Sequence, residues 1–133
     1  HHGIPAMRLV LYDENGRITH NVEGSVDCCR GLLDTQERIV VVDELPNMDT
    51  FYVKDGDVLE RPVISPPDRT TLAADGFDTL VINLPEPLWV SIDGLMLDET
   101  TNVLELVSDH ADVYEIEIDQ WPYLPFRTQV VAT

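Results

Sequence analysis

Carboxylates are the one reactive group this chain holds in excess, with 25 Asp or Glu against 8 Lys or Arg. Some pairs must therefore lie close together. An acid–base pair, however, needs one carboxyl raised by an apolar pocket opposite one that stays ionised, and no spacing along the chain marks such a pair. His110, with Asp109 and Asp112 as neighbours, suggests a metal corner, although a histidine in a turn is ordinarily solvated. Asp93, Asp98 and Glu99 offer the hard oxygen ligands that calcium prefers, provided the loops bring them together. The glycine of Asp13-Glu-Asn-Gly16 comes too early for a helix-loop-helix calcium loop, and Asp55-Gly-Asp57 is accounted for by a turn. Cys28 and Cys29 are adjacent, which suits neither zinc spacing nor staples between distant strands. They read as reduced thiols, at least one of them packed inside, with no His or Lys near in sequence to favour the thiolate. Gly-x-Ser-x-Gly, a P-loop and a histidine pair at i, i+4 are all missing. These patterns predict a non-enzyme with no catalytic residues, no cofactor and no metal ligand set.

Charge narrows the partners. The formal net charge is -17, and residues 63–133 hold thirteen Asp or Glu against only Arg69 and Arg127. Such a surface repels phosphate, so neither nucleic acid nor an anionic bilayer is expected as a partner. No apolar run is long enough for a spanning helix, and no basic-then-apolar leader follows Met7, so the chain is expected to be soluble and made in the cytoplasm. Residues 1–6, His-His-Gly-Ile-Pro-Ala, read as the remnant of an affinity tag, which leaves His20 and His110 as the native histidines.

The elements that must position these groups are mostly strands. Met7–Tyr12 and Arg17–Val22 flank Asp13-Glu-Asn-Gly16, whose Asn-Gly predicts a tight hairpin turn. Ser25 is placed to cap a short helix over Val26–Gln36, with Val26, Cys29, Leu32 and Leu33 on one stripe. Arg38–Asp43 is an unbroken apolar strand, a pattern of burial on both faces with the helix covering one. A second hairpin closes on Asp55-Gly56 before Pro62. Residues 7–62 are thus expected to form a small N-terminal ββαβ-type unit ending in a two-stranded ribbon.

Pro62, Pro66 and Pro67 disfavour helix and interrupt ladders, so residues 63–68 read as a stiff proline-rich connector. Beyond it the period is two. Leu80, Ile82 and Leu84 alternate with polar or outward positions, as do Leu88, Val90 and Ile92 and then Leu104 and Leu106. In Val113–Asp119, Tyr114, Ile116 and Ile118 share one face while Glu115, Glu117 and Asp119 share the other. With strands near Thr70–Ala74, Leu95–Asp98 and Phe126–Ala132, about seven strands are separated by turn signals at Asp75-Gly76, Asp93-Gly94 and Thr101-Asn102. The fold class is mainly β, with residues 69–133 an immunoglobulin-like antiparallel β-sandwich. Asp112-Val-Tyr114 fits the tyrosine corner of that fold, its phenol hydroxyl returning to upstream backbone.

Four aromatic residues stand out as a possible interaction surface: Trp89, Trp121, Tyr123 and Phe126. If Leu88, Val90 and Ile92 face inward, Trp89 faces out, either as a contact residue or under the N-terminal module. Trp121-Pro-Tyr-Leu-Pro-Phe126 either packs over an open end of the sandwich or forms an aromatic platform for a partner, sugars included.

The hairpin with Asn-Gly, the short helix, the β run and Tyr52-Val-Lys-Asp-Gly-Asp-Val-Leu-Glu-Arg-Pro62 together resemble small tail-associated proteins of tailed bacteriophages and prophages. The second half, with Ala74-Asp-Gly76, Val90-Ser-Ile-Asp-Gly94, Leu104-Glu-Leu106, Tyr114 and Trp121-Pro-Tyr-Leu124, is similar to their small C-terminal immunoglobulin-like domains. The resemblance covers most of residues 7–133. It implies a non-enzymatic virion component of the tail, made in the host bacterial cytoplasm. Its expected partners are copies of itself, as a trimer or hexamer, and other tail proteins. A carbohydrate-binding or adhesion module built on Trp121, Tyr123 and Phe126 is the alternative.

Overall fold

The computed structural model describes residues 6–133. The expected tag remnant lies outside them, apart from Ala6, which opens the first strand. The described chain is mainly β, with twelve strands and one helix. It divides into two compact units, one ending at Arg61 and the other spanning Pro62–Thr133.

In the first unit, β1 (Ala6–Tyr12) lies between β2 (Ile18–Ser25) and β3 (Ile39–Val42), antiparallel to both. The β1–β2 turn forms where Asn-Gly predicts it. Asp13 Oδ1 accepts from the Asn15 and Arg17 N–H groups, each at 2.9 Å, and Gly16 adopts φ +83°. Helix α1 (Val26–Thr35) starts at Ser25, whose hydroxyl accepts the Cys28 N–H at 3.3 Å, an ordinary N-cap. It packs on β1 and β2 and buries Cys29, while Cys28 is exposed. Strands β4 (Phe51–Lys54) and β5 (Asp57–Glu60) form the second hairpin, with Asp55 and Gly56 at φ +52° and +81°. Its Val53 N–H donates to the Gly16 carbonyl at 2.8 Å, which brings the hairpin against the first turn.

Val10, Ile18 and Val53 form a buried cluster edged by Val40, Val42 and Phe51, whereas Leu9, also fully buried, is on the opposite face of β1. The expectation of burial on both faces of β3 fails at Val41, which is 53% exposed. Its partner in register is Leu9, so Val41 lies on the helix side of the sheet, and α1 packs on β1 and β2 without covering it.

The second unit holds a five-stranded sheet in the order β6-β12-β11-β8-β9 and a two-stranded sheet of β7 and β10. The strands are β6 (Thr71–Leu72), β7 (Leu80–Leu88), β8 (Ser91–Ile92), β9 (Leu95–Met96), β10 (Thr101–Leu106), β11 (Asp112–Ile118) and β12 (Phe126–Ala132). Pairing is antiparallel except between β6 and β12. Both sheets contribute to one core, including Leu80, Ile82 and Leu104 from the smaller and Ile116, Ile118 and Val130 from the larger. Each such side chain contributes roughly 1.5–3 kcal/mol on burial. Ile64, in the proline-rich segment, is also buried in this core.

Two local readings change. The strand expected around Leu80–Leu84 runs on to Leu88 as β7, its register stepping from Asn83 opposite Val103 to Leu88 opposite Thr101, while the strand expected over Leu88, Val90 and Ile92 is broken and its far end forms β8. The stretch between Asn83 and Leu88 bulges out, so Pro85 and Pro87, which have no N–H to give, sit off the ladder and exposed. Thr101-Asn102 is no turn between strands but the start of β10. Its turn-like character survives locally: the Thr101 hydroxyl donates to the Val103 carbonyl at 2.7 Å and accepts the Val103 N–H at 3.2 Å.

Candidate interaction surface

The Asp93-Gly94 turn, with φ +52° and +82°, sets the tight β8–β9 hairpin that ends the five-stranded sheet. Ser91 pairs with Met96 and Ile92 with Leu95, and the Leu97 N–H donates to the Val90 carbonyl at 2.9 Å. The hairpin is anchored to β11 through Ile116 and Glu117, and Asp93 Oδ1 accepts the Glu115 N–H at 2.8 Å. This held backbone displays apolar side chains. Leu95 is 76% exposed and Met96 59%.

Trp89 precedes the hairpin. Leu88 and Val90 on either side are fully buried and Trp89 is 44% exposed, so the alternation turns its ring outward as expected. Its backbone N–H donates to Gln120 Oε1 at 2.9 Å, which places it beside the loop carrying the other three aromatics. That loop is itself braced: the Tyr123 N–H donates to the Gln120 carbonyl and the Leu124 N–H to the Pro62 carbonyl, each at 2.9 Å. Tyr123 belongs to the core and Phe126 packs half-buried against it, so at these two positions the loop takes the packing alternative. Trp121 is half-buried. Of the four expected surface aromatics, Trp89 is the one displayed.

Leu95 and Met96 went unnoticed as surface residues in the sequence. The available signal was a two-residue apolar strand next to an Asp-Gly turn, too short to show which face a core would cover.

At another end of this unit, two loops meet where the Gly76 N–H donates to the Ser108 carbonyl at 2.9 Å. Asp75 Oδ1 accepts the Phe77 and Asp78 N–H groups, which holds its carboxyl below the usual range and leaves Phe77 88% exposed. Arg69 grips Asp78 with both guanidinium arms at 2.8 and 2.9 Å, and Ala73 adds its N–H; these bonds hold Asp78 down at about 2. The Tyr114 hydroxyl does not return to backbone but meets the buried Ser108 hydroxyl at 2.8 Å, which in turn donates to the His110 carbonyl.

His110 carries Asp109 on Nδ1 at 2.8 Å and Asp112 on Nε2 at 3.2 Å. These carboxylates raise its pKa, favouring the imidazolium, with Asp109 the larger contributor. A ring held this way offers no lone pair to a metal. Among the described residues, no group of three or more His, Cys, Asp or Glu converges on a metal position, and Asp93, Asp98 and Glu99 do not meet as one.

Among the described residues, the first unit shows concavities on its surface. One of about 440 Å³ is lined by Leu45, Pro46, Phe51 and Val58 with Glu44 and Asn47; another of about 330 Å³ is lined by residues that include Thr19, His20, Glu37 and Arg38. In the second, Thr19 Oγ1 lies 3.1 Å from His20 Nδ1 and donates its own hydrogen to the Leu11 carbonyl at 3.2 Å. Compared with family models, with characterised proteins and with solved structures, the chain matches none.

Proposed function

We propose that this chain is a non-enzymatic structural or adaptor protein of a bacteriophage or prophage tail, working through protein–protein assembly. Its second unit is read as an immunoglobulin-like β-sandwich and its first as a ββαβ-type unit with a hairpin. The observation that carries the reading is the display of Trp89, Leu95 and Met96 on hydrogen-bonded backbone within a strongly acidic unit. Rigid exposed apolar anchors in a polar rim are the anatomy of protein interfaces, because little ordering entropy remains to be lost on binding. The sequence resemblance to tail-associated proteins supplies the setting.

Stacking on sugars draws on Trp121, Tyr123 and Phe126 together, and the position of Tyr123 in the core takes one of those three faces away.

Light scattering on the full chain, alone across a concentration series and mixed with tail proteins encoded beside it, tests the reading. A defined oligomer or a stoichiometric complex is expected. A monomer at every concentration that binds none of them overturns it.

A further inference from the structure

Edge strands ordinarily defend themselves with lysine, proline or an inward charge, since their unpaired backbone groups invite another strand. β9 is blunted only by its shortness: its two residues, Leu95 and Met96, carry neither charge nor proline, and in the five-stranded sheet only β8 pairs with it. Backbone amides along a strand point alternately to its two sides. The Leu97 N–H is spent on Val90 and Leu95 pairs with Ile92, so the Met96 N–H and carbonyl face the open side. Met96 also shares its face with Ser91, two residues on from Trp89, which puts the two large apolar side chains on one side of the hairpin.

The charge around this edge is one-sided. Asp98 and Glu99 follow the strand and neither forms an ion pair among the described residues, while Asp93, in the turn, is committed to the Glu115 N–H on the β11 side. The nearest cation on the sheet face, Arg127, is held by Glu117 at 2.9 Å. A second copy of β9 laid along this edge would set carboxylate against carboxylate, whereas a cationic strand would find them unpaired.

We infer that the open side of β9 is a strand-addition site for an extended, lysine- or arginine-bearing segment of a partner protein. Main-chain bonds to Met96 fix its register, Trp89 and Met96 cover its apolar residues, and Asp98 and Glu99, which follow the strand, supply the carboxylates for its cations. The inference rests on the assembly role proposed above and names the surface and the chemistry of its partner.

The probes are a heptapeptide of alternating lysine and valine and its glutamate–valine counterpart, titrated into the full chain while amide hydrogen exchange is followed by NMR. The cationic peptide is expected to slow exchange at the Met96 amide, and the anionic one to leave it unchanged. Met96→Pro removes that N–H and Trp89→Ala removes the covering ring; each is expected to weaken binding about tenfold or more, a loss of the size seen for interface anchors. Retained exchange protection along β11 shows that each variant is folded, and either variant alone suffices for the test. Binding without protection at Met96, or undiminished in both variants, overturns the site in favour of diffuse charge attraction. Protection that appears in the free protein on concentration, with no peptide, overturns the cationic partner in favour of a second copy. A tail-protein complex that forms equally with Met96→Pro removes this edge and leaves the assembly role standing. Peptide protection at Met96 with no complex of any kind does the reverse.

Discussion

The first unit buries apolar side chains on both faces of its middle strand, Leu9 on the helix side and Val10 toward the β4–β5 hairpin, with three residues in its buried cluster. The second gathers thirteen buried residues into one core, ten from its two sheets and Ile64, Val90 and Tyr123 from segments between strands. A short chain that splits its burial between two faces must rely on turns that hold the layers in place, while a single contiguous core tolerates loose loops but not lost volume. Turn geometry therefore bears most of the weight in the first unit and side-chain packing in the second.

The largest expected effect comes from emptying that core. Ile116→Ala, at a fully buried position on a central strand, should destabilise the second unit by about 2–5 kcal/mol, the usual range for such a truncation. Both tryptophans belong to this unit, so their emission reports its unfolding, and α1 supplies the helical far-ultraviolet signal of the first. If both signals shift together by the same amount, the contrast between the units collapses.

Gly16→Ala sharpens the other half. Its φ of +83° costs an L-residue roughly 1–2 kcal/mol, and a Cβ there would also run into the Val53 carbonyl. Gly56→Ala has nearly the same φ, +81°, but meets nothing within 4 Å, so only the roughly 1–2 kcal/mol conformational cost applies. Thermal melts followed by the helical signal should show Gly16→Ala clearly worse. Equal losses would mean that contact with Val53 does not hold the layers together.

The smallest effect is electrostatic and belongs to the second unit. Asp78, held at about 2 against an ordinary 3.8, contributes stability that is fully present above pH 3.8 and lost as pH falls toward 2. His110 is shifted upward, so its contribution is complete below 6.5 and disappears as pH rises through its raised value. Both groups are solvent-facing, so the slopes are shallow. Asp78→Asn should flatten the acid side of the tryptophan-monitored midpoint and His110→Asn the alkaline side. Unaltered slopes in both would show that these pairs do not contribute.

Much of this was legible from local rules. Asn15-Gly16, Asp55-Gly56 and Asp93-Gly94 announce turns because few residues accept positive φ, and the alternation in Val113–Asp119 and around Trp89 fixes what points inward. What escaped is set by distant partners. The reach of α1 across the sheet decides that Val41 stays uncovered, and β10 decides that Pro85 and Pro87 sit in a bulge rather than between strands. The Arg69–Asp78 clamp and the Ser108–Tyr114 bond were invisible among so many carboxylates and hydroxyls. The surface followed the same division: parity turned Trp89 outward, but the exposure of Leu95 and Met96 depends on β9 ending the sheet.

The strand order of the larger sheet carries a consequence for biosynthesis. β12 sits between β6 and β11, although it is made after both. On the ribosome, β6 therefore has no neighbour and β11 lacks one flank until residues 126–132 leave the exit tunnel. The first unit, complete by Arg61, can close well before that. The nascent second unit passes through an interval with a gap in its main sheet, when chaperones or premature partners have their best access to it.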